Sequence, residues 1–476
     1  MINESFLQGI FPEILKNVIV KPYYKNGDKM FLENYRPLAI LSVFSKNFEM
    51  AMCNRIIKVI NKLKILNNSQ HGFTKGKSTI SAICNFITNI YNSIEEHNQN
   101  LGIFYDFSKA FDTVNHSILL EKLNSMGISG LANKGIESFL KDRKQIVQMK
   151  SDGESFNSKS ITINVGVPQG STIAPLLFIL FTNDITSYVN KGSLTLFADD
   201  TTHFISAVKE DIVNVSRNAV MQLENWCLKN DLFLYKKKTV LLQFGTKRSI
   251  IDSSPLITLD GSSIHERLDT KFLGVILENT LDWEKHINNV AQKVASGCYL
   301  VKRIMNLCNF ETAKSVYFAY IQSRLQYGII LWGNSQYATR LFILQKRAIR
   351  ILARASTNPC ADVYCKDSCS DLFKKFNILT LPSLYIFMSI MYVIDNKHML
   401  TVNKDIHEHF TRGKDNIHIK KHNLKMSDKC PGYAGSIFYN NLPNYIEKES
   451  DVRFKSTLKA YLIDKCYYNV QDFFQF

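Results

Sequence analysis

Long hydrophobic runs are missing from this chain of 476 residues. The most apolar stretch, residues 173–181, is far too short to span a bilayer, and we expect it to form a buried helix. The opening MINESFLQGIF lacks the basic and apolar regions of a secretory signal, which predicts an intracellular protein, nuclear or cytoplasmic. Repeats, heptads and low-complexity linkers are also missing, so domain boundaries have to be inferred from changes of pattern.

Cysteine is present but shows no regular pairing among its ten residues, which predicts reduced thiols. Cys360, Cys365 and Cys369, with His407 and His409 further on, are residue types that bind zinc. Their spacing fits no finger or knuckle pattern, so we interpret them as ordinary residues.

Acidic residues are scarce relative to basic ones, 42 against 58, and the net charge is +16. Such a charge attracts polyanions, although solubility alone is an alternative explanation. The basic residues are spread along the chain, which suits a long bound nucleic-acid duplex better than one small anion. They are Lys21, Lys25, Lys29, Arg36, Lys75, Lys77, Lys236, Lys237, Lys238, Lys302, Arg303, Lys346, Arg347, Arg350 and Arg354.

Acidic residues end or join several predicted strands. The apolar run LGIFYD ends in Asp106 and precedes a predicted helix with Asn115 as its N-cap and Gly127 as its stop. Further on, the apolar segments LTLFA and THFIS flank Asp199 and Asp200, which predicts a β-hairpin with both acids at its tip.

The remaining patterns predict a mixed sheet covered on one face by helices. Residues 145–165 predict a hairpin that leads into the loop GVPQGS, residues 209–230 a long amphipathic helix, and TVLLQF and KFLGVIL further strands. Beyond Trp283 the sequence becomes mainly helical.

Carboxylates converging from separate elements suit phosphoryl transfer by two Mg²⁺ ions held roughly 4 Å apart. The ions activate an attacking hydroxyl and neutralise charge on the leaving group. An Asp-Asp pair in a turn is weak evidence by itself, because aspartate favours turns for local reasons. The pair gains weight from DFSKAFD at residues 106–112 and GVPQGS at 166–171, which precede it in the sequence.

Together these motifs resemble the reverse transcriptases of non-LTR retrotransposons, especially the jockey-like group. KNGDKMFLENYRPLAILSVFSKNFE and QHGFTKGKST are similar to fingers segments of that family, and DFSKAFDTVNH, VPQGSTIAPLLF, FADDT, KKKT and KFLGV to palm motifs. The resemblance implies an α/β (α+β) right-hand polymerase, with fingers and palm over residues 1–280. A helical thumb-like region at 281–355 and a C-terminal helical region at 356–476 would follow.

The resemblance also implies a metal site. Asp106, Asp199 and Asp200 match the catalytic metal ligands, and the backbone carbonyl of Phe107 completes one metal's shell. The expected cofactor is a pair of Mg²⁺ ions, with Mn²⁺ as the alternative.

Residues that contact the incoming nucleotide are implied in the same way. Phe111 matches the aromatic residue that excludes a 2′-hydroxyl, and Gln169 and Gly170 match the loop beneath the nucleotide. Arg36 and Lys25 match basic positions that hold the triphosphate. Taken alone, the phenylalanine would be core packing, PQG a turn and the two cations solvated charges.

Lys238 matches a lysine that donates a proton to pyrophosphate, although three lysines in a row leave the register open. The chain departs from the family at Tyr235, where asparagine is usual, and at Ala174, where glycine is usual. Neither departure removes a metal ligand.

The expected partners are an RNA template, a DNA primer, the RNA–DNA duplex and dNTPs, with an RNA-binding protein of the same element as a further candidate and no membrane. Lys302, Arg303, Arg347 and Arg350 either grip duplex or lie on solvated helix faces. The family's endonuclease is not recognisable, so we expect a truncated copy. The alternative function is a non-catalytic RNA-binding remnant. An RNA-dependent RNA polymerase is disfavoured by Phe111 and FADD.

Overall fold

The computed structural model describes residues 2–246, 257–259, 261–356, 368–397, 400–406, 413–424, 426–447 and 449–475. The chain forms two compact units that interleave along the sequence. The first unit comprises Met1–Ala82, Gln99–Gln243 and Ile250–Arg267, and the second comprises Ile83–Asn98, Phe244–Ser249 and Leu268–Phe476. The divisions at residues 280 and 355 remain predictions.

Most strands belong to the first unit. They are β1 Asn17–Tyr24, β2 Tyr35–Ile40, β3 Gln99–Tyr105, β4 Arg143–Ser151, β5 Glu154–Asn157, β6 Ile161–Ile163, β7 Ser193–Phe197, β8 Asp200–Ala207, β9 Val240–Phe244, β10 Thr258–Leu259, β11 Ser262–Ser263 and β12 His265–Glu266. One sheet has the order β2-β1-β4-β5 with β6 also paired to β4, and a second has the order β12-β9-β3-β8-β7. The predicted hairpin over 145–165 therefore contains an additional strand, β5.

Helices of the first unit pack around the second of these sheets. They are α1 Ile2–Gln8, α2 Val43–Leu63, α4 His116–Ser125, α5 Leu131–Leu140, α6 Ala174–Phe181, α7 Ile185–Tyr188 and α8 Ile212–Lys229, while α3 Thr79–Glu95 divides between both units. The predicted buried helix is confirmed as α6, because every residue except Pro175 is buried. Each such Leu, Ile or Phe contributes about 1.5–3 kcal/mol by leaving water.

The predicted helix start at Asn115 is confirmed at α4. The side chain of Asn115 accepts hydrogen bonds from the backbone N–H groups of Ser117 and Ile118, as an N-cap does. This cap fixes the exit of the loop that follows Asp106, and so confirms the predicted order of strand, turn and helix.

The second unit is mainly helical, as predicted for the chain beyond Trp283. After the hairpin of β13 Asp269–Phe272 and β14 Val275–Glu278 come α9 Glu284–Met305, α10 Phe310–Tyr317, a π-helical turn Phe318–Gln322, α11 Ser323–Gln326, α12 Ile329–Trp332, α13 Ala338–Ser356, α14 Cys369–Phe376, α15 Leu381–Asp395, α16 Pro431–Asn440, α17 Asn444–Glu447 and α18 Asp451–Lys465. The mixed α/β fold class is confirmed.

Within the described residues, no single helix is both long and apolar enough to cross a membrane, and only α14 and α15 together, bent by 46°, meet that test. Of the cysteines and histidines considered for zinc, Cys369 is half-buried and carries a free thiol. Cys360, Cys365, His407 and His409 lie outside the described residues.

Candidate active site

The three acids meet where β3, β7 and β8 end or begin. Antiparallel pairing of β3 with β8 sets Tyr105 opposite Thr201, so Asp106 follows β3 beside the start of β8. In the β7–β8 hairpin Phe197 pairs with Asp200, which leaves Ala198 and Asp199 as the turn. The predicted hairpin and its acidic tip are confirmed.

The turn carries backbone strain. Ala198 has φ 56°, a conformation that L-residues with a Cβ rarely adopt. A residue held there costs about 1 to 3 kcal/mol and persists because its surroundings determine the conformation. Here the backbone N–H of Ala198 donates a 3.4 Å hydrogen bond to Gln70 Oε1.

The carboxylates repel one another. Asp200 has a pKa raised from its ordinary value to about 6, chiefly because surrounding protein removes water from the carboxylate, and then because of the charges on Asp199 and Asp106. The pKa of Asp199 is also raised, first by loss of water and then by Asp106. Both residues keep exposed surface, so a cation in solvent can reach them.

Two of the predicted triphosphate contacts act on the same acid. The positive charges of Arg36 and Lys25 lower the pKa of Asp199 and so oppose the shift caused by Asp106. Arg36 lies on β2 opposite Tyr23, Lys25 directly follows β1, and both side chains are exposed. The structure thus brings basic residues from the β1–β2 hairpin into the field of the acidic tip.

Lys238 forms an ion pair with Asp106, the third acid. Its Nζ is 3.2 Å from Asp106 Oδ2 and 4.5 Å from the centre of the Tyr235 ring. The backbone N–H of Tyr235 also donates a 2.7 Å hydrogen bond to the carbonyl of Asp106. Because the ion pair is substantially exposed, it contributes less than about 1 kcal/mol to stability and is readily displaced.

The donor chemistry of the three acids fits Mg²⁺ or Mn²⁺, because both ions prefer carboxylate oxygens. The mutual repulsion of the acids is what a bound cation would relieve. Yet in the described parts of the chain no group of three or more His, Cys, Asp or Glu side chains is already positioned to hold a metal ion. The three acids therefore offer carboxylate oxygens, but within the described residues they do not form a ready-made metal-binding group.

Phe107 is fixed next to Asp106 by the strand-like segment before Tyr235. It forms an antiparallel bridge with Leu234, and the neighbouring Ser108 N–H donates a 2.8 Å hydrogen bond to the carbonyl of Phe233. The Phe107 side chain is buried in the core. This anchoring holds the backbone on the C-terminal side of Asp106.

Phe111 lies at the edge of the core rather than inside it. Its half-buried ring stacks on Phe178 of α6, with ring centres 4.7 Å apart and an angle of 28° between the planes. The stacking gives the ring a fixed orientation. One part of the side chain remains outside the packed core.

The loop that contains Gln169 touches two other backbone segments. Gln169 O accepts a 2.8 Å hydrogen bond from Ala39 N–H, and a Cβ on Gly170, which has φ 123°, would lie 2.4 Å from Ala39 O. A Cβ on Gly166 would lie 2.6 Å from Asp112 O. Both glycines are therefore required by close backbone approach.

Asp112 contacts the Gln169 side chain directly. Gln169 Nε2 donates to Asp112 Oδ1 at 3.0 Å and to Oδ2 at 3.1 Å. Burial raises the pKa of Asp112, while the hydrogen bond from Gln169 lowers it. The motif DFSKAFD contains this residue, but nothing in the local pattern indicates its partner 57 positions later.

Two further supporting residues escaped the sequence prediction. Besides contacting the hairpin turn, Gln70 belongs to a segment that pairs with β7 at Leu196. The buried Glu49 accepts hydrogen bonds from Ser171 Oγ at 2.6 Å and Thr172 N–H at 2.7 Å, just after Gly170. The signal that the sequence offered for Glu49 is an acidic residue on the largely apolar, buried face of α2.

The described mixed sheet carries acids at one strand end and at an adjacent hairpin tip. The family described as "Reverse transcriptase (RNA-dependent DNA polymerase)" matches residues 23–277, more than half of the chain, and the chain belongs to that family. The predicted resemblance to jockey-like non-LTR elements is confirmed by the curated relatives.

One relative is the "Probable RNA-directed DNA polymerase from transposon BS" of Drosophila melanogaster, 27% identical over 72% of this chain and 39% of the relative. Another is the "RNA-directed DNA polymerase from mobile element jockey" of the same species, 24% identical over 73% of this chain and 38% of the relative. The chain thus spans about two fifths of their length. Among solved structures, an apo telomerase from Candida tropicalis has a TM-score of 0.45 and 13% identity, covering 83% of this chain and 70% of that one.

Proposed function

We propose that this chain is an RNA-directed DNA polymerase of a non-LTR retrotransposon, which adds deoxynucleotides to a primer 3′ end. The observation that carries the proposal is the register that sets Asp106 beside Asp199 and Asp200. Family membership gives this acidic cluster a known class of chemistry, and the nearby charges of Arg36 and Lys25 suit a triphosphate substrate.

In this proposal, Asp106, Asp199 and Asp200, with the Phe107 carbonyl, hold two Mg²⁺ ions. When bound, these ions supply activation of the primer hydroxyl and neutralisation of the pyrophosphate charge, and Mn²⁺ is the alternative ion. Arg36 and Lys25 orient the triphosphate by charge.

The remaining predicted residues act on the sugar and on the leaving group. Phe111 closes the space beside the sugar, while Gln169 and Gly170 line the nucleotide's other side. Lys238 leaves Asp106 as the site fills and delivers a proton to pyrophosphate.

The second unit is proposed to bind duplex. Lys302 and Arg303 on α9, and Arg347 and Arg350 on α13, are exposed cations. Contacts between such cations and phosphates are sequence-independent and weaken as salt rises. The proposed partners are the RNA template, DNA primer, RNA–DNA duplex and dNTPs, with an element-encoded RNA-binding protein as an additional one.

Primer extension tests the proposal. Purified protein is given a homopolymeric RNA template, a DNA primer, the matching dNTP and Mg²⁺, beside an Asp199→Ala/Asp200→Ala variant. The rate of extension by the wild type is expected to exceed that of the variant by at least about 10³-fold, because the variant lacks two of the carboxylates that are proposed to hold the catalytic ions. An Asp415→Ala variant, which breaks an exposed ion pair with Lys404, serves as the matched carboxylate control.

Wild-type extension no better than that of the double variant would contradict the proposal. Retained RNA binding would then favour the non-catalytic RNA-binding remnant. The observation that favours such a remnant is that, within the described residues, no group of three or more His, Cys, Asp or Glu side chains is positioned to hold a metal ion.

A further inference from the structure

We propose that Asp112 is a positioning residue that fixes the amide of Gln169, so that Gln169 presents only its oxygen to the incoming nucleotide. Gln169 then recognises a hydrogen-bond donor, such as a sugar hydroxyl or a base amino group, and not a phosphate. This inference rests on the proposed polymerase function. It adds Asp112 to the residues that position the nucleotide, and it specifies which end of the Gln169 amide faces the substrate.

The direction of the amide follows from the chemistry of its partner. Both Asp112 oxygens lie within hydrogen-bond distance of Gln169 Nε2, at 3.0 and 3.1 Å. An ionised carboxylate only accepts hydrogen bonds, whereas an amide has one donating and one accepting end. The nitrogen must therefore face Asp112, and Oε1 faces away from it.

Backbone contacts hold the pair from both sides. Val167 N–H donates a 2.7 Å hydrogen bond to Phe111 O, immediately before Asp112, and Gly166 packs against Asp112 itself. On the other side, Gln169 O is bonded to Ala39 N–H. The two side chains consequently meet without the freedom that a long polar side chain normally has.

The oxygen of this amide is available to a ligand. Within the part of the chain that the structure describes, Gln169 Oε1 has no hydrogen-bond partner, although the side chain is only half-buried. A fixed acceptor discriminates strongly, because a substrate without the matching donor leaves it unpaired. Phe111, which belongs to the proposed sugar contact, directly precedes Asp112, and its carbonyl accepts the hydrogen bond from Val167 in the Gln169 loop.

Steady-state primer extension at varied dNTP concentrations gives kcat and KM for each dNTP. These two constants separate a positioning role of Asp112 from a merely structural one. Asp112→Leu keeps a branched side chain, although a larger one, and cannot accept the amide hydrogens. It should raise KM for the dNTP roughly ten-fold, with kcat changed less than about two-fold, because a charge-assisted hydrogen bond is lost. Asp112→Asn still offers one accepting oxygen, and its KM should stay within about three-fold of wild type.

A double variant supplies the decisive comparison. If Asp112 acts through Gln169, then Asp112→Leu should add nothing to the KM of Gln169→Ala. The matched control is Asp231→Asn, because Asp231 accepts a 2.7 Å hydrogen bond from the amide of Asn115 instead of that of Gln169. It should leave KM unchanged.

Unchanged KM in Asp112→Leu, or effects that multiply with Gln169→Ala, would overturn the inference while leaving the proposed function intact. A lowered unfolding midpoint with normal KM would show that Asp112 is structural only. Absence of extension by the wild type in the same assay would overturn both.

Discussion

The two units use buried and half-buried polar groups in different ways. In the first unit, Asp106, Asp199 and Gln169 follow or join strands and remain open to a ligand. In the second unit, polar side chains such as Gln345 and Thr380 are enclosed between helices. The difference teaches that a polar residue is informative about function when it lies at a strand end with exposed surface.

One enclosed hydrogen-bond network in the second unit is centred on Gln345 and Tyr317. Gln345 Nε2 donates to Tyr317 Oη at 3.1 Å and to Leu379 O at 2.9 Å, and Tyr317 Oη donates to Gln322 Oε1 at 3.0 Å. Such a network favours one packing arrangement of the helices, although Gln345 Oε1 is buried without a hydrogen-bond partner among the described residues. Its contribution is to stability.

Among single substitutions outside the three acids, the largest effect is expected at Phe111. Phe111→Ala removes the ring that is proposed to exclude a 2′-hydroxyl, so discrimination between dNTP and rNTP should fall by roughly 10²-fold. The measurement is the ratio of kcat/KM for the two substrates. Phe342→Ala is the matched control, because Phe342 is a buried phenylalanine of the second unit, and it should lower stability without changing that ratio. Unchanged discrimination in Phe111→Ala would show that the sugar is selected elsewhere.

A second prediction concerns the enclosed network. Gln345→Leu leaves Tyr317 and the carbonyl of Leu379 without this donor, and the free energy of unfolding should fall by about 2 kcal/mol. Urea titration followed by circular dichroism measures the change. The exposed Gln336→Leu should alter it by less than about 0.5 kcal/mol. If Gln345→Leu changed nucleotide discrimination instead, the contrast between the units would be broken.

Sequence patterns predicted the features that depend on neighbouring residues. The apolar segments flanking Asp199 and Asp200 specified a hairpin, Asn115 specified a helix start, and residues 173–181 specified a buried helix. Each depends on propensity or periodicity within a few positions.

Long-range pairings were not predictable in that way. The parallel pairing of β1 with β4, the contact of Gln70 with the hairpin turn and the bond between Asp112 and Gln169 join segments far apart in sequence. Their partners are chosen by the packed fold, and no periodicity of one segment encodes the other. The roles of Phe111, Gln169, Arg36, Lys25 and Lys238 in catalysis remain predictions.

The smallest effect, counted per pH unit, is expected from the titration of a buried histidine. Burial lowers the pKa of His203 to about 4, against the opposing hydrogen bond that its Nε2–H donates to Lys191 O. Since the unfolded histidine binds a proton below about 6.5, stability should fall as pH drops from 6.5 towards 4. The slope is at most about 1.4 kcal/mol per pH unit for one histidine.

His203→Gln replaces the imidazole N–H donor by an amide N–H donor that does not titrate. The variant should therefore flatten the dependence of the unfolding free energy on pH. His71 in the first unit and His286 in the second have similarly lowered pKa values, each about 4. The variant should therefore lose only part of the slope. An identical slope in His203→Gln would mean that folding does not lower the pKa of this imidazole.

The central claim is that Asp106, Asp199 and Asp200 form one cation site. Electron paramagnetic resonance of Mn²⁺ binding, with template, primer and dNTP present, tests it most directly. Wild type should bind two Mn²⁺ ions per chain, and Asp106→Asn/Asp199→Asn/Asp200→Asn should lose both, because the charged oxygen ligands are gone. Mn²⁺ binding of the same number and affinity in the triple variant would contradict the claim.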